Sequence, residues 1–117
     1  MGDRALVLFK NQDTVSPTVY LHWKGSDVPL FIFQLGKLMA DRKNDVSYAA
    51  ARFIGLAHET IPGNLSLGVM ETPVELREAV LGNDVEVIAD FSHGDFGVVV
   101  VDTATFSWRA YGRHLTH

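Results

Sequence analysis

An α+β fold with a mostly antiparallel sheet is predicted by three features of the sequence. Stretches of β-type alternation are gathered at the two ends, helix-type periodicity occupies the middle, and no linker, repeat or low-complexity tract interrupts the 117 residues. The expected order is β-β-α-α-β-α-β-β-β, with the helices packed on one face of the sheet and residues 1–117 forming a single globular domain. A domain of this length buries roughly two-thirds of the surface that its unfolded chain exposes, enough for one ordinary core.

The first two strands are "ALVLFK" and "TVYLHWKG", rich in β-branched and aromatic residues and separated by the turn-prone "NQDTVSP". They read as a hairpin in which Val19, Leu21 and Trp23 face the core and Tyr20, His22 and Lys24 face away from it. "GSDVP" then offers Ser26 and Asp27 as helix caps and Pro29 near the first helical position, ahead of "LFIFQLGKLMADRK". Leu30, Phe31, Phe33, Leu35, Leu38 and Met39 cover more than one stripe of that helix, which predicts deep packing; "LFIF" taken alone also fits a strand.

Asp45 is placed to cap a second helix, "VSYAAARFIGLAHETI", in which Val46, Ala50, Phe53, Ile54, Ala57 and Ile61 recur at helical spacing until Pro62-Gly63 ends it. "NLSLGVM" alternates as a half-buried strand. "TPVE" reads as a capping box, with Thr72 as the cap of a short helix that stops at Gly82. "DVEVIADF" alternates and is predicted as a strand, "SHGDFG" as a loop, and "GVVVVD" with "TFSWRAY" as a closing hairpin that turns at "TA".

Composition narrows the function. Hydrophobic residues at 47% and charged residues at 21% fit an ordered domain rather than a disordered chain. The absence of cysteine excludes disulfide staples, thiol nucleophiles and thiolate zinc sites. The longest apolar run, "VPLFIFQLGKLMA", is broken by Gln34 and Lys37, and no leader pattern opens the chain, so a soluble cytoplasmic protein is expected.

The net charge of −4 conceals an asymmetry: residues 1–44 carry six basic side chains against four acidic ones. Residues 71–102 carry Glu71, Glu75, Glu78, Asp84, Glu86, Asp90, Asp95 and Asp102 against Arg77 alone. Such a segment repels nucleic-acid phosphate and attracts Arg/Lys-rich surfaces, although a charged face can also serve solubility alone.

Two histidine-containing stretches invite a catalytic reading. "HETIP" supplies the first half of a zinc-protease helix motif, but Pro62 stands where the second histidine must be, so His58 reads more simply as a residue of the last helical turn. Asp90, His93 and Asp95 in "DFSHGDFG" can move protons or bind a metal, yet the same residues form ordinary turns and no fourth ligand is evident. No serine elbow, P-loop or dinucleotide fingerprint occurs, and no cofactor or metal is expected.

"VYLHWKG", "SYAAARFIGLAHE", "LSLGV" and "GVVVVDT" together resemble short uncharacterised single-domain proteins of bacterial, prophage and mobile-element origin. Small size, lack of cysteine and an acidic C-terminal third are also similar to anti-CRISPR and other anti-defence proteins. The acidic segment, taken with this likeness, leads to the expectation of a non-enzymatic inhibitor that occupies a basic protein surface, one belonging to a nucleoprotein complex for instance, through Glu71, Glu75, Glu78, Glu86, Asp90 and Asp95. The alternative is a small metal-assisted or acid/base hydrolase using Asp90, His93 and Asp95 with His58. A homodimer built on Tyr20, His22 and Tyr111 is a third arrangement compatible with the sequence.

Overall fold

A computed structural model describes residues 4–22, 25–60, 67–92 and 96–112. Five strands form one sheet: β1 (Ala5–Lys10), β2 (Thr18–Leu21), β3 (Leu67–Met70), β4 (Val98–Asp102) and β5 (Ser107–Tyr111), in the spatial order β3-β2-β1-β4-β5. Every neighbouring pair is antiparallel except β1 and β4 at the centre, which run parallel with Leu6 opposite Val98 and Lys10 opposite Asp102. The helices are α1 (Val28–Leu38), entered through a 3-10 turn at Gly25–Asp27, then α2 (Val46–Thr60), α3 (Val74–Gly82) and α4 (Val85–Asp90). The α+β class and the mostly antiparallel sheet stand as predicted, and "LFIF" is helical.

The helices do not share one face of the sheet. Ala5, Val7, Phe9, Val19, Leu21, Val99, Val101 and Ala110 pack under α1 and α2, whereas Leu6, Leu8, Val98, Val100 and Tyr111 pack under α3 and α4. The cause lies in the two central strands. "ALVLF" and "VVVV" are apolar at every position, so the two-residue period of a strand sends apolar side chains to both faces and each face needs a cover. The larger core is anchored by Phe53 of α2, whose ring meets Phe9 edge-on at 5.5 Å and Phe31 at 5.9 Å. Ala49, Ala50 and Ala57, all buried, let α2 lie close against its neighbours.

The second departure is residues 85–90, which form α4 instead of a strand. Asn83 takes the left-handed conformation (φ 57°) that caps α3, one residue beyond the expected stop at Gly82. Asp84 then accepts a hydrogen bond from the Val87 N–H at 3.3 Å, capping a new helix that buries Ile88. Both sides of β4 are already occupied, by β1 and β5, so the alternating "VEVIA" has no strand to pair with there.

Asp45 caps α2 as predicted: its carboxylate accepts from the Tyr48 N–H at 3.1 Å and meets the Arg42 guanidinium at 3.3 Å. Thr72 is not a helix cap. Pro73 occupies the cap position of α3, and the buried Thr72 hydroxyl donates to the Ser16 carbonyl at 2.7 Å. That hydroxyl has one proton, so the Thr18 hydroxyl is the donor in their 2.7 Å contact. Ser16 continues the tie, since its hydroxyl accepts from the Phe9 N–H at 2.9 Å and donates to the Pro17 carbonyl at 2.8 Å. One chain of bonds thus joins β1, the start of β2 and the segment after β3.

Replacing Thr72 with Val keeps the shape but strands the Ser16 carbonyl and the Thr18 hydroxyl. The expected loss is about 2 kcal/mol, read as a lower urea midpoint with an unchanged slope. The Asp45 carboxyl is held below its ordinary value of 3.8, chiefly by the Tyr48 N–H and further by Arg42. Its contribution is complete above that ordinary value and disappears as pH falls through the lowered one. Asp45→Ala should therefore lower the thermal midpoint at neutral pH, and the gap to wild type should narrow as pH falls below the ordinary carboxylate value and through the lowered one.

Candidate functional site

The acidic residues singled out by sequence are distributed over one helical layer. Glu75 and Glu78 are exposed on α3, and Glu86 and Asp90 are exposed on α4, with Asp84 between the two helices. Each follows from amphipathicity: Leu76, Ala79, Val80 and Ile88 take the sheet-facing positions, which leaves the carboxylates pointing outward. Arg77 is the one basic side chain in residues 71–92. Glu71, exposed just beyond β3, lines an open groove of about 410 Å³ with Val15, Pro17, Val69, Met70 and Arg77.

Of the residues of the catalytic alternative, the structure describes His58 and Asp90 and keeps these two apart. His58 is exposed in the last turn of α2, on the layer that covers one face of the sheet, while Asp90 ends α4 on the opposite layer. His93 and Asp95 lie outside the described residues. Among the described residues no group of three or more His, Asp or Glu side chains is arranged to hold a metal ion. The proposed aromatic dimer face is also altered: Tyr111 is 7% exposed and belongs to the smaller core, and Tyr20 packs against that core while its hydroxyl meets His22 Nδ1 at 3.1 Å. Tyr111 is therefore spent inside the fold, while Tyr20 and His22 are half-buried.

A polar pocket of about 480 Å³ lies at the carboxyl ends of the parallel strands β1 and β4, lined by Lys10, Asn11, Asp13, Asn44 and Asp102. Its groups serve the fold. The Asn11 carboxamide oxygen accepts from the Asp13 and Thr14 N–H groups and from the Thr14 hydroxyl, while its NH2 donates to the Asn44 carbonyl at 2.9 Å. Asp102 accepts from the Ala104 N–H at 2.9 Å, and the buried Thr103 gives both its N–H and its hydroxyl to the Lys10 carbonyl. This knot joins β1, the α1–α2 connection and the β4–β5 turn.

Sequence reasoning missed the outer side of α1. Phe33 is 62% exposed and Leu30 is 54% exposed, on the side opposite the buried Val28, Phe31, Ile32 and Leu35, whereas Leu38, also 62% exposed, ends the helix on the Phe31–Leu35 stripe. The signal was present, because a helix apolar on more than one stripe either buries all of them or leaves one uncovered. Beside this stripe a groove of about 380 Å³ runs between α1 and the β4–β5 turn, lined by Ile32, Phe33, Gly36, Lys37, Ala40, Lys43, Thr105 and Phe106. The Lys37 ammonium stands over the Phe33 ring, 4.5 Å from its centre.

No protein-family model, no curated protein and no solved structure matches the chain. Among the described residues no helix is long and apolar enough to cross a membrane.

Proposed function

We propose that this protein is a non-enzymatic binding module whose α3–α4 layer engages an Arg/Lys-rich surface of a protein partner. The observation that supports the reading is the outward placement of Glu75, Glu78, Asp84, Glu86 and Asp90 on one layer, with Arg77 the one basic side chain of the two helices and Lys10 and Arg109 lining a pocket at their edge. Five carboxylates on adjoining short helices reinforce one another's field within a Debye length, roughly 10 Å at 0.1 M salt. Such a field speeds encounter with a cationic surface and opposes the approach of phosphate backbones. Glu71 extends the same sign to the mouth of the groove beside β3.

The resemblance to anti-defence proteins suggests the particular form: an inhibitor that covers the basic nucleic-acid path of a bacterial defence complex. In that role the carboxylates stand where phosphates would otherwise be bound, and discrimination comes from the apolar residues among them, Val74, Leu81 and Val85, which are exposed on the same layer.

The test is affinity capture from a bacterial lysate with the wild type and with the double variant Glu78→Lys/Glu86→Lys, at about 0.05 M and about 1 M salt, followed by mass spectrometry. Both positions are exposed, so the variant should keep its unfolding free energy to within about 0.5 kcal/mol. A specific complex held by the wild type at low salt, released at high salt and absent from the variant is the expected result. Equal capture by both proteins, or none by either, would overturn the reading.

A further inference from the structure

The α1 helix is apolar nearly all round but is packed on one side only. Leu30 and Phe33 leave its outer side apolar, and Lys37 and Lys43 line the adjacent groove without a carboxylate among the lining residues. Contiguous exposed apolar surface rimmed by charge marks a contact surface. Its occupant should present apolar side chains interleaved with carboxylates.

The opposite layer of the same molecule has that chemistry. On α3 the exposed Val74, Glu78 and Leu81 follow the i, i+4, i+7 spacing of one helical stripe, flanked by Glu75 and continued by Val85 and Glu86 on α4. The α1 side presents Lys37 and Lys43 beside apolar residues, the α3 side presents Glu75 and Glu78 beside apolar residues, and the sheet separates the two. We infer that the outer side of α1 in one copy receives the outer side of α3 in a second copy, with Glu75 and Glu78 meeting Lys37 and Lys43 around a contact formed by Leu30 and Phe33. This rests on the reading of the α3–α4 layer as an interaction surface and names a partner for it.

Because the donor and acceptor surfaces lie on opposite sides of the sheet, the association is heterologous: two copies cannot close on each other as a dimer, and further copies add head to tail into an open chain or a larger ring. Free Arg/Lys-rich partners compete with α1 for the acidic layer, so self-association holds the module in reserve until such a partner is present.

The test uses the full chain in sedimentation equilibrium at about 0.02 M and about 1 M salt. Wild type at low salt should show a weight-average mass that climbs with concentration above the 12.9 kDa of one copy, without a plateau at two copies, and that falls back at high salt. Lys37→Glu/Lys43→Glu alone and Glu75→Lys/Glu78→Lys alone should each remain at one copy, since each then carries two surfaces of like sign. Mixed in equal amounts, the two variants should associate again. Phe33→Ser, which leaves every charge in place, should also reduce the association several-fold.

A wild type that stays at one copy up to its solubility limit would overturn the inference, as would a mixture of variants that fails to associate. Lys37→Glu/Lys43→Glu keeps the acidic layer intact, so its capture of a basic partner from lysate reports on the proposed function separately. Capture without self-association removes only the inference drawn here.

Discussion

The parallel pairing of β1 with β4 is the constraint on which the remainder of the structure depends. From Leu6 to Phe9 and from Val98 to Val101 every side chain is buried, and alternate residues feed two cores at once. A strand pair buried on both faces cannot lie at a sheet edge or open one side to water, so it requires both helical layers. The pairing reaches past the strand ends through the Phe96 N–H to the Arg4 carbonyl and the Leu6 N–H to the Gly97 carbonyl. Gly97 takes a positive φ of 80° there, which suits a residue without a side chain. The pair joins residues more than 90 positions apart, and the hairpins β1–β2 and β4–β5 extend the sheet outward from it.

Two polar ties hold the periphery to this centre. At one site Thr72, Thr18 and Ser16 bind β3's exit to β1 and β2; at another Thr103, Asn11 and Asn44 bind the α1–α2 connection and the β4–β5 turn to the end of β1. The first uses buried hydroxyls whose bonding capacity is largely filled, which is what a low-dielectric interior demands, while the second combines the buried Thr103 with an exposed Asn11–Asn44 bond. The outer strand β3 has little else: Gly68, Val69 and Met70 are exposed, and its outer edge has no neighbouring strand among the described residues.

The fold class was legible in the sequence because the strongest signals are local. Asp45 before an alternating-turn pattern, and unbroken β-branched runs at "VVVV", each specify their element without outside help. The errors came where local pattern and tertiary demand diverge. "DVEVIADF" has strand periodicity, but the ladder positions beside β4 were filled by β1 and β5, and Asp84 turned it into a helix. Thr72 has the local grammar of a cap, yet its hydroxyl is used inside the fold. The helices were expected on one face, although the apolar continuity of "ALVLF" already called for two. At the candidate site, sequence showed the sign of the surface, while the layer shared by Glu75, Glu78, Glu86 and Asp90 emerged only from which residues α3 and α4 bury. The uncovered stripe of α1 was written in its composition and concealed by the expectation that all of it would be packed.

The proposed function uses that same two-sided sheet. By separating α1–α2 from α3–α4 it sets His58 apart from Asp90, and it gives the acidic layer a rigid base. Amide hydrogen exchange followed residue by residue tests the arrangement most directly, because exchange ranks segments by the free energy needed to open them. The account predicts that the amides of Val7–Phe9 and Val99–Val101 exchange only through global unfolding, with β3 and α4 opening at lower cost. Amides of Leu67–Met70 or Val85–Asp90 that match or outlast those of β1 and β4 would contradict a fold organised around the central parallel pair.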